Sequence, residues 1–169
     1  YGFPIVEAIA KIATKPLDAH LMIVHPEKYV DRFAKVGVQM LSFHLNAVDN
    51  AGQVLAQIRA AGMSPGLAIN PDIPVEKLFP YLDQCDYVVL MSVFAGFGGQ
   101  KFIEATYNRV ETLKAEIERQ GVECLIQVDG GVSAANSAKL AELGADILVA
   151  GSAVFKADDP QAVIAEMKA

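Results

Sequence analysis

Short runs of apolar residues recur along the chain and alternate with longer segments of helical period. The runs are rich in Val, Leu and Ile, hardly alternate with polar residues, and end in polar residues or Gly. Strands that are covered on both faces of a parallel sheet have this pattern. The runs cover residues 17–23, 40–44, 66–70, 87–93, 125–129 and 147–150. The pattern therefore predicts six strands of one parallel sheet.

The segments between the strands predict helices. In residues 104–119 the apolar side chains return every three or four positions, as on one face of a helix. Ser133 is placed to cap a helix over residues 134–143, and Pro160 to open the last helix. Shorter helices are predicted over residues 4–13, 27–35 and 75–82. Helices and strands thus alternate throughout, which leaves an open doubly wound sheet or a closed barrel.

The position of the polar residues favours the barrel. Polar residues and Gly collect where the strands end, which is the catalytic face of a (β/α)8 TIM barrel, and no G-x-G-x-x-G follows an early strand. Eight strands and about 250 residues are typical of that fold, whereas six strands are predicted in these 169 residues. We expect one partial TIM-barrel domain over residues 1–169, with about six βα units and with strands 1 and 2 of the barrel absent from its front.

Composition narrows the class of protein. Apolar residues make up 53% of the chain, too many for a disordered protein. Fourteen Lys and Arg against twenty Asp and Glu give a net charge of −6, which argues against general nucleic-acid binding. No apolar run approaches the roughly 18 residues of a membrane span, so we expect a cytoplasmic protein that binds neither nucleic acid nor membrane. Cys85 and Cys124 match no metal or redox spacing and are predicted to be buried thiols.

Two side chains at strand ends are the first candidates for chemistry. His20 lies near the end of the first strand, where it is either a core histidine with a satisfied ring nitrogen or a metal ligand. Asp129 ends the fifth strand, where a buried carboxylate is costly unless it is paired, bound to a metal or catalytic. We interpret Asp129 as functional because it lies at the carboxyl end of its strand.

Glycine-rich loops follow the strands at the same end. Residues 96–100 read Gly-Phe-Gly-Gly-Gln, and they either form a flexible turn or bring backbone N–H groups close to a ligand. Gly130 and Gly131 follow the fifth strand, and Gly151 and Ser152 follow the sixth, where many barrels bind phosphate. These loops hold no Lys or Arg, so backbone dipoles would bind the anion. Together they predict a site for a ligand the size of a sugar phosphate.

Other polar and sulfur-containing side chains lie near the strand ends without a decisive pattern. Met22 and Met91 either pack in the core or line the site with soft apolar side chains. His44 closes the second strand and fits the core as well as the pocket. His25 precedes a proline on a predicted loop and is expected to be solvated.

Four segments together resemble the ribulose-phosphate 3-epimerase family. They read LDAHLM at residues 17–22, MSVFAGFGGQKF at 91–102, VDGGV at 128–132 and VAGSAVF at 149–155, in that family's order and roughly its spacing. The resemblance runs from residue 1 to the carboxyl terminus. It implies a barrel enzyme of the pentose phosphate pathway that interconverts D-ribulose 5-phosphate and D-xylulose 5-phosphate through an enediolate.

The resemblance also implies roles for single residues. The family holds one divalent cation, such as Fe²⁺, Mn²⁺, Co²⁺ or Zn²⁺, between two His and two Asp, and the two Asp act as acid and base on opposite faces of the substrate. By motif, His20 is a metal ligand, and Asp129 is both a metal ligand and the proton donor. Met22 and Met91 match methionines that shield the intermediate. The residues that match substrate contacts are His20, Gly96, Phe97, Gly98, Gly99, Asp129, Gly130, Gly131, Gly151 and Ser152.

The chain departs from the family at its start. The family's second strand carries a His-x-Asp motif with the other two metal ligands and the base, and its first strand carries a substrate-binding Ser. Residues 1–4 match the segment just after that second strand. We therefore predict that the chain as printed does not catalyse metal-dependent epimerisation by itself. Smaller departures are Phe94-Ala95, where many members have Asn-Pro, and Asn46, where an acidic residue is often found.

Two other functions are compatible with the sequence. Epimerisation of a related ketose 6-phosphate, such as allulose 6-phosphate, would use the same motifs, since the sequence does not expose the pocket size. A non-catalytic phosphate-binding or assembly module is the alternative outside enzymes, because unpaired sheet edges invite pairing with another chain. The family forms dimers or hexamers, so the resemblance implies a homo-oligomer.

Overall fold

Six parallel strands in sequential order form one sheet in the computed structural model, which describes residues 2–96 and 99–168. The strands are β1 (Asp18–Leu21), β2 (Met40–His44), β3 (Ser64–Ile69), β4 (Tyr87–Met91), β5 (Leu125–Asp129) and β6 (Ile147–Val149). Strands that follow each other in the chain are neighbours in the sheet, so every connection is a crossover between parallel strands. The six predicted strands are confirmed, and β2 and β5 have the predicted bounds.

Seven α-helices lie between and beside the strands in the described part of the chain. They are α1 (Phe3–Ala10), α2 (Val30–Lys35), α3 (Ala51–Ala60), α4 (Thr106–Gln120), α5 (Ala134–Glu142), α6 (Ser152–Phe155) and α7 (Pro160–Met167). The longest, α4, buries Val110, Leu113 and Ile117 on one face, as its apolar spacing predicts. Among the described residues, no helix combines the length and the apolarity that crossing a bilayer requires.

One predicted helix is wrong. Residues 75–82 form two separate 3-10 turns, Val75–Lys77 and Phe79–Tyr81, rather than one helix. Pro80 explains the difference, because proline has no N–H to donate and its ring clashes with the carbonyl four residues earlier. The spacing of apolar residues alone does not reveal that steric constraint.

Contacts between distant strands show that the sheet curls into a partial barrel. Asp18 at the start of β1 accepts hydrogen bonds from Tyr87 in β4 at 2.9 Å and from Gln127 in β5 at 3.0 Å. A flat sheet would separate β1 from these strands by three or four strand spacings, roughly 14–19 Å. The curled six-stranded sheet agrees with a partial (β/α)8 barrel, and the two further strands at its front stay a prediction.

Side chains of each strand alternate between the inside of the barrel and the helix layer outside. In β4, Tyr87, Val89 and Met91 belong to the inner cluster, whereas Val88 and Leu90 pack in the larger core under the helices. This alternation is what points Met91 towards the barrel interior. The predicted thiols, Cys85 and Cys124, are free and buried.

Candidate active site

A cavity of about 260 Å³ opens where the carboxyl ends of β4, β5 and β6 meet. Most of the residues predicted for ligand binding line it, including glycines from three different loops. These residues are Met22, Met91, Gly96, Gly99, Asp129, Gly130, Gly131, Gly151 and Ser152. Phe97 and Gly98 were predicted with them and lie outside the described residues. The fold therefore gathers into one cavity segments that lie far apart in the chain.

Other, larger depressions lie elsewhere on the described part of the chain. A groove of about 620 Å³ beside β6 has mainly apolar lining from α5, α6 and α7. A cleft of about 350 Å³ runs beside His25 and the start of α3. Neither contains a residue predicted for catalysis or for metal binding. A third depression of about 360 Å³, between β1, α1 and α2, contains His20, which does not line the cavity at the strand ends. The cavity at the strand ends holds Asp129 and the predicted glycines and is therefore the candidate site.

Asp129 is the one carboxylate that lines the described part of this cavity. It ends β5 and is half-buried. Burial raises the pKa of its carboxyl group, and the negative charge of Asp18 raises it further. No hydrogen bond to the carboxylate comes from residues 2–96 or 99–168. Because the raised pKa favours the protonated form, a carboxyl group that faces a cavity in this way can both give and take a proton.

The turn after Asp129 is built around its neighbours in β4. The Ser92 N–H donates to the Asp129 carbonyl at 2.8 Å, and the Ser92 hydroxyl donates to the Gly130 carbonyl at 2.5 Å. Gly130 has a φ of +120°, and a Cβ there would lie 2.4 Å from the Val93 side chain. Only glycine fits this conformation and this spacing. The backbone can therefore approach a ligand closely at this point.

His20 lies in β1, outside the lining of this cavity and next to a second histidine. Its Nδ1 lies 2.8 Å from the Ser42 hydroxyl, and its Nε2 lies 3.0 Å from the His44 Nε2. Burial, and then the charge of His44, lowers the pKa of His20 to about 4. Burial also lowers the pKa of His44. Both imidazoles are therefore neutral at neutral pH, which is the form that binds metals.

His20 and Asp129 face the same interior at the same depth. Two residues before them in their strands, Asp18 and Gln127 are in direct contact across the barrel. Because side chains of a strand alternate, residues two positions further on point to the same face. Both strands run in the same direction, so His20 and Asp129 occupy the next layer towards the carboxyl ends. That the two residues hold one cation together stays a prediction.

The residues present fit a divalent cation in part. Within residues 2–96 and 99–168, no group of three or more His, Cys, Asp or Glu is arranged to hold a metal ion. Two features nevertheless suit a ligand role. The Ser42 contact anchors the Nδ1 of His20, and the Nε2 of His20 lies 3.0 Å from the Nε2 of a second imidazole, His44. The Nδ1 of buried His44 has no partner among the described residues. The donor chemistry agrees with a metal site that these residues do not complete.

Sequence reasoning missed the polar residues that support the site. Asp18 lies near the start of a predicted strand, where a carboxylate is expected to be a loop or cap residue, yet its carboxylate joins three strands inside the barrel. Ser42 was not considered, although it contacts His20. The signal for both was available in the spacing, since Asp18 lies two residues before His20 and Ser42 two residues before His44. Their partners could not be read from spacing alone.

Comparison with known proteins settles the family. A model of the ribulose-phosphate 3 epimerase family matches residues 1–155. The chain belongs to this family. A ribulose-phosphate 3-epimerase of Synechocystis is 42% identical over 166 residues, which cover 97% of this chain and 72% of the relative. Its counterpart in Bacillus subtilis is 39% identical over 97% of this chain and 76% of its own length. The expectation that the chain comes from an epimerase family is confirmed.

Solved structures with low sequence identity support the fold. A tryptophan synthase alpha-subunit from Pyrococcus furiosus superposes with a TM-score of 0.71 at 21% identity, over 98% of this chain and 69% of that one. A 3-hexulose-6-phosphate synthase gives a TM-score of 0.76 at 18% identity, over 97% and 78% of the two chains. At these identities the likeness concerns the arrangement of strands and helices alone.

Proposed function

We propose that this chain carries one side of the C3 epimerisation of D-ribulose 5-phosphate to D-xylulose 5-phosphate, in the cytoplasmic pentose phosphate pathway. The observation that carries the proposal is Asp129, a half-buried carboxyl group with a raised pKa on a glycine turn in the cavity. Membership of the epimerase family supports the reaction type. The relatives are named ribulose-phosphate 3-epimerases, which supports a ribulose phosphate as the substrate.

The backbone at the end of the cavity binds the phosphate in this proposal. Gly130 and Gly131 present backbone without Cβ atoms, and Gly151 has open space around it. Ser152 adds a hydroxyl group at the same wall. Such N–H dipoles can hold an anion without a lysine or arginine. The phosphate then sets the distance of the sugar carbons from Asp129.

Asp129 moves the proton at C3. The carboxylate takes the C3 proton from one face of D-xylulose 5-phosphate, or the carboxyl group returns it in the opposite direction. Met91, only 1% exposed, and Met22 line the cavity beside it. Their apolar side chains keep water from the reacting carbon. Inversion requires a second acid or base on the opposite face, which the printed chain is predicted to lack.

His20 and Asp129 are the residues that would hold a divalent cation. When bound, such an ion supplies positive charge that stabilises the oxygens next to C3 as the proton leaves. The part of this chain is to keep His20 neutral and oriented. Ser42 fixes the ring through Nδ1, and burial keeps the imidazole neutral at neutral pH.

Proton exchange without inversion is the sharpest test. The chain is incubated in D₂O with D-xylulose 5-phosphate and Mn²⁺ or Zn²⁺, and deuterium at C3 and conversion to the epimer are followed separately by NMR. We expect deuterium to enter at C3 without measurable conversion, and Asp129→Asn to abolish the exchange. Absence of both binding and exchange would contradict the proposed function. Conversion as fast as that of a full-length relative would contradict the one-sided mechanism.

The same assay distinguishes the other functions. D-allulose 6-phosphate replaces the pentose phosphate in a parallel reaction, and faster exchange with the six-carbon substrate would favour the ketose 6-phosphate reading. Binding of either sugar phosphate, measured by calorimetry, without exchange at C3 would favour the non-catalytic phosphate-binding module.

A further inference from the structure

Arg109 makes an unusual set of contacts beneath the site. It lies in the first turn of α4, half-buried, with its guanidinium group against the carboxyl ends of β3 and β4. Its Nη1 donates to the Met91 carbonyl at 3.1 Å, and its Nη2 donates to the carbonyls of Asn70 at 3.0 Å and Ile73 at 3.1 Å. No carboxylate within the described residues lies within ion-pair distance of it. Three backbone carbonyls therefore accept its hydrogen bonds, and the more distant negative charge of Asp72 also stabilises the cation.

The helix itself does not account for an arginine at this position. The first turn of a helix is the positive end of its dipole, where a cation is unfavourable. Burial lowers the pKa of the Arg109 guanidinium, so the group is held partly out of water at a cost. A fork of N–H donors that reaches three carbonyls compensates for that cost. Lysine, a single point of charge, could not reach all three in the same way.

Two of the three carbonyls that Arg109 holds belong to residues that connect it to the cavity. The side chain of Met91 lines the cavity, and the next residue, Ser92, donates hydrogen bonds to Asp129 and Gly130. The side-chain oxygen of Asn70 accepts from the Ala95 N–H at 3.3 Å, at the start of the loop after β4. Arg109 thus contacts Met91 and Asn70, which connect it to the Asp129 turn through Ser92 and to the loop after β4 through Ala95.

We propose that Arg109 is a positioning residue of this site. It holds the ends of β3 and β4 together, so that Ser92 keeps the Asp129 turn in place and Asn70 keeps the following loop in place. The inference rests on the proposed function only for the choice of ligand, D-ribulose 5-phosphate. Its physical content is local: the contacts of Ser92 and Ala95 depend on Arg109 more than the rest of the sheet does.

The test compares variants of the full chain. Arg109→Met keeps the length of the aliphatic side chain and removes the donors, Arg109→Lys keeps the charge, and Arg119→Met is the control. Arg119 lies on the same helix, where its partner is Glu116 at 2.6 Å on the surface. Backbone hydrogen exchange is measured at Ser92 and Ala95 and, as a reference, in β2. Calorimetry gives the Kd for D-ribulose 5-phosphate without added metal.

For Arg109→Met we expect about tenfold faster exchange at Ser92 and Ala95 relative to β2, and about tenfold weaker binding. Arg109→Lys should recover part of both losses, and Arg119→Met should leave both unchanged. Uniformly faster exchange in every strand, unchanged exchange, or a local change with unchanged Kd would overturn the proposal. If Arg109→Met does not fold, Arg109→Lys is judged by the same criteria. If the unmodified chain does not bind the sugar phosphate, the proposed function fails, and the exchange pattern alone decides the role of Arg109.

Discussion

The interior of the partial barrel holds two layers of polar side chains that differ in their hydrogen bonds. In the layer nearer the amino ends of the strands, Asp18 accepts from Tyr87 and Gln127 and joins β1 to β4 and β5. In the layer nearer the carboxyl ends, Asp129 receives no hydrogen bond from the described residues, and the Nδ1 of His44 has no described partner. His20 contacts Ser42 and His44, so the open atoms of this layer are the Asp129 carboxylate and the His44 Nδ1.

The difference separates a structural role from a functional one. Buried polar groups with partners rigidify a fold, and buried polar groups without partners destabilise it. Unpaired groups persist where a ligand can satisfy them. The division is not complete, since the side-chain carbonyl oxygen of Gln127 is also without a described partner. The two layers nevertheless predict opposite responses to the same kind of substitution.

The largest effect is expected for Asp129→Asn. The rate of C3 proton exchange should fall by about 100-fold or more, because the amide cannot transfer the proton. The free energy of unfolding at pH 7 should stay the same or rise by up to about 1 kcal/mol, since an unpaired half-buried charge is removed. NMR exchange and urea unfolding measure the two quantities. A clear loss of stability would show instead that Asp129, like Asp18, has a structural role.

Gly130→Ala should destabilise the carboxyl-end layer directly. The backbone there has a φ of +120°, and the new methyl group would meet Val93. Strain and overpacking together should lower the free energy of unfolding by about 2–4 kcal/mol, and sugar-phosphate binding should be lost. Gly151→Ala is the matched control, because no atom lies within 4 Å of its Cβ position. Equal stability of the two variants would contradict the tight turn.

Asp18→Asn tests the hydrogen-bonded layer nearer the amino ends of the strands. The amide keeps one acceptor oxygen for two donors, Tyr87 and Gln127, so the free energy of unfolding should fall by about 1–3 kcal/mol. Asp86→Asn is the control. Its ion pair with Arg59, at 2.7 Å, is partly exposed and should contribute less than about 1 kcal/mol. Chemical denaturation compares the two, and a larger loss for Asp86→Asn would break the distinction between the layers.

The smallest effect concerns pH. The pKa of His20 is lowered from 6.5 to about 4. Between pH 6.5 and pH 4, His20 is therefore protonated in the unfolded chain and neutral in the folded chain. Stability should therefore fall by about 2 kcal/mol as pH drops from 6.5 to 4 in the presence of a chelator. His20→Gln should flatten this slope, and His25→Gln, an exposed control, should keep it. An unchanged slope in His20→Gln would show that other groups cause the acid sensitivity.

The sequence predicted the elements well and their interior contacts poorly. Bounds of β2 and β5 followed from their apolar runs, and Asp129 and its glycines followed from their place at a strand end. The partners of Asp18 were not predicted, because Gln127 lies 109 residues further along the chain. The helix over residues 75–82 was wrong because Pro80 outweighs its apolar spacing. The homo-oligomer and the two further strands stay predictions.

By itself the sequence determined which end of the sheet carries the chemistry, since the direction of parallel strands brings all their final residues together. It also determined the family, through four short segments in a fixed order. Only the tertiary structure decided what each buried polar atom contacts. Ser42 meets His20 because β1 and β2 pair in that register, and Arg109 meets Met91 because α4 packs against the strand ends. Such contacts depend on geometry between elements, which leaves no local trace in the order of residues.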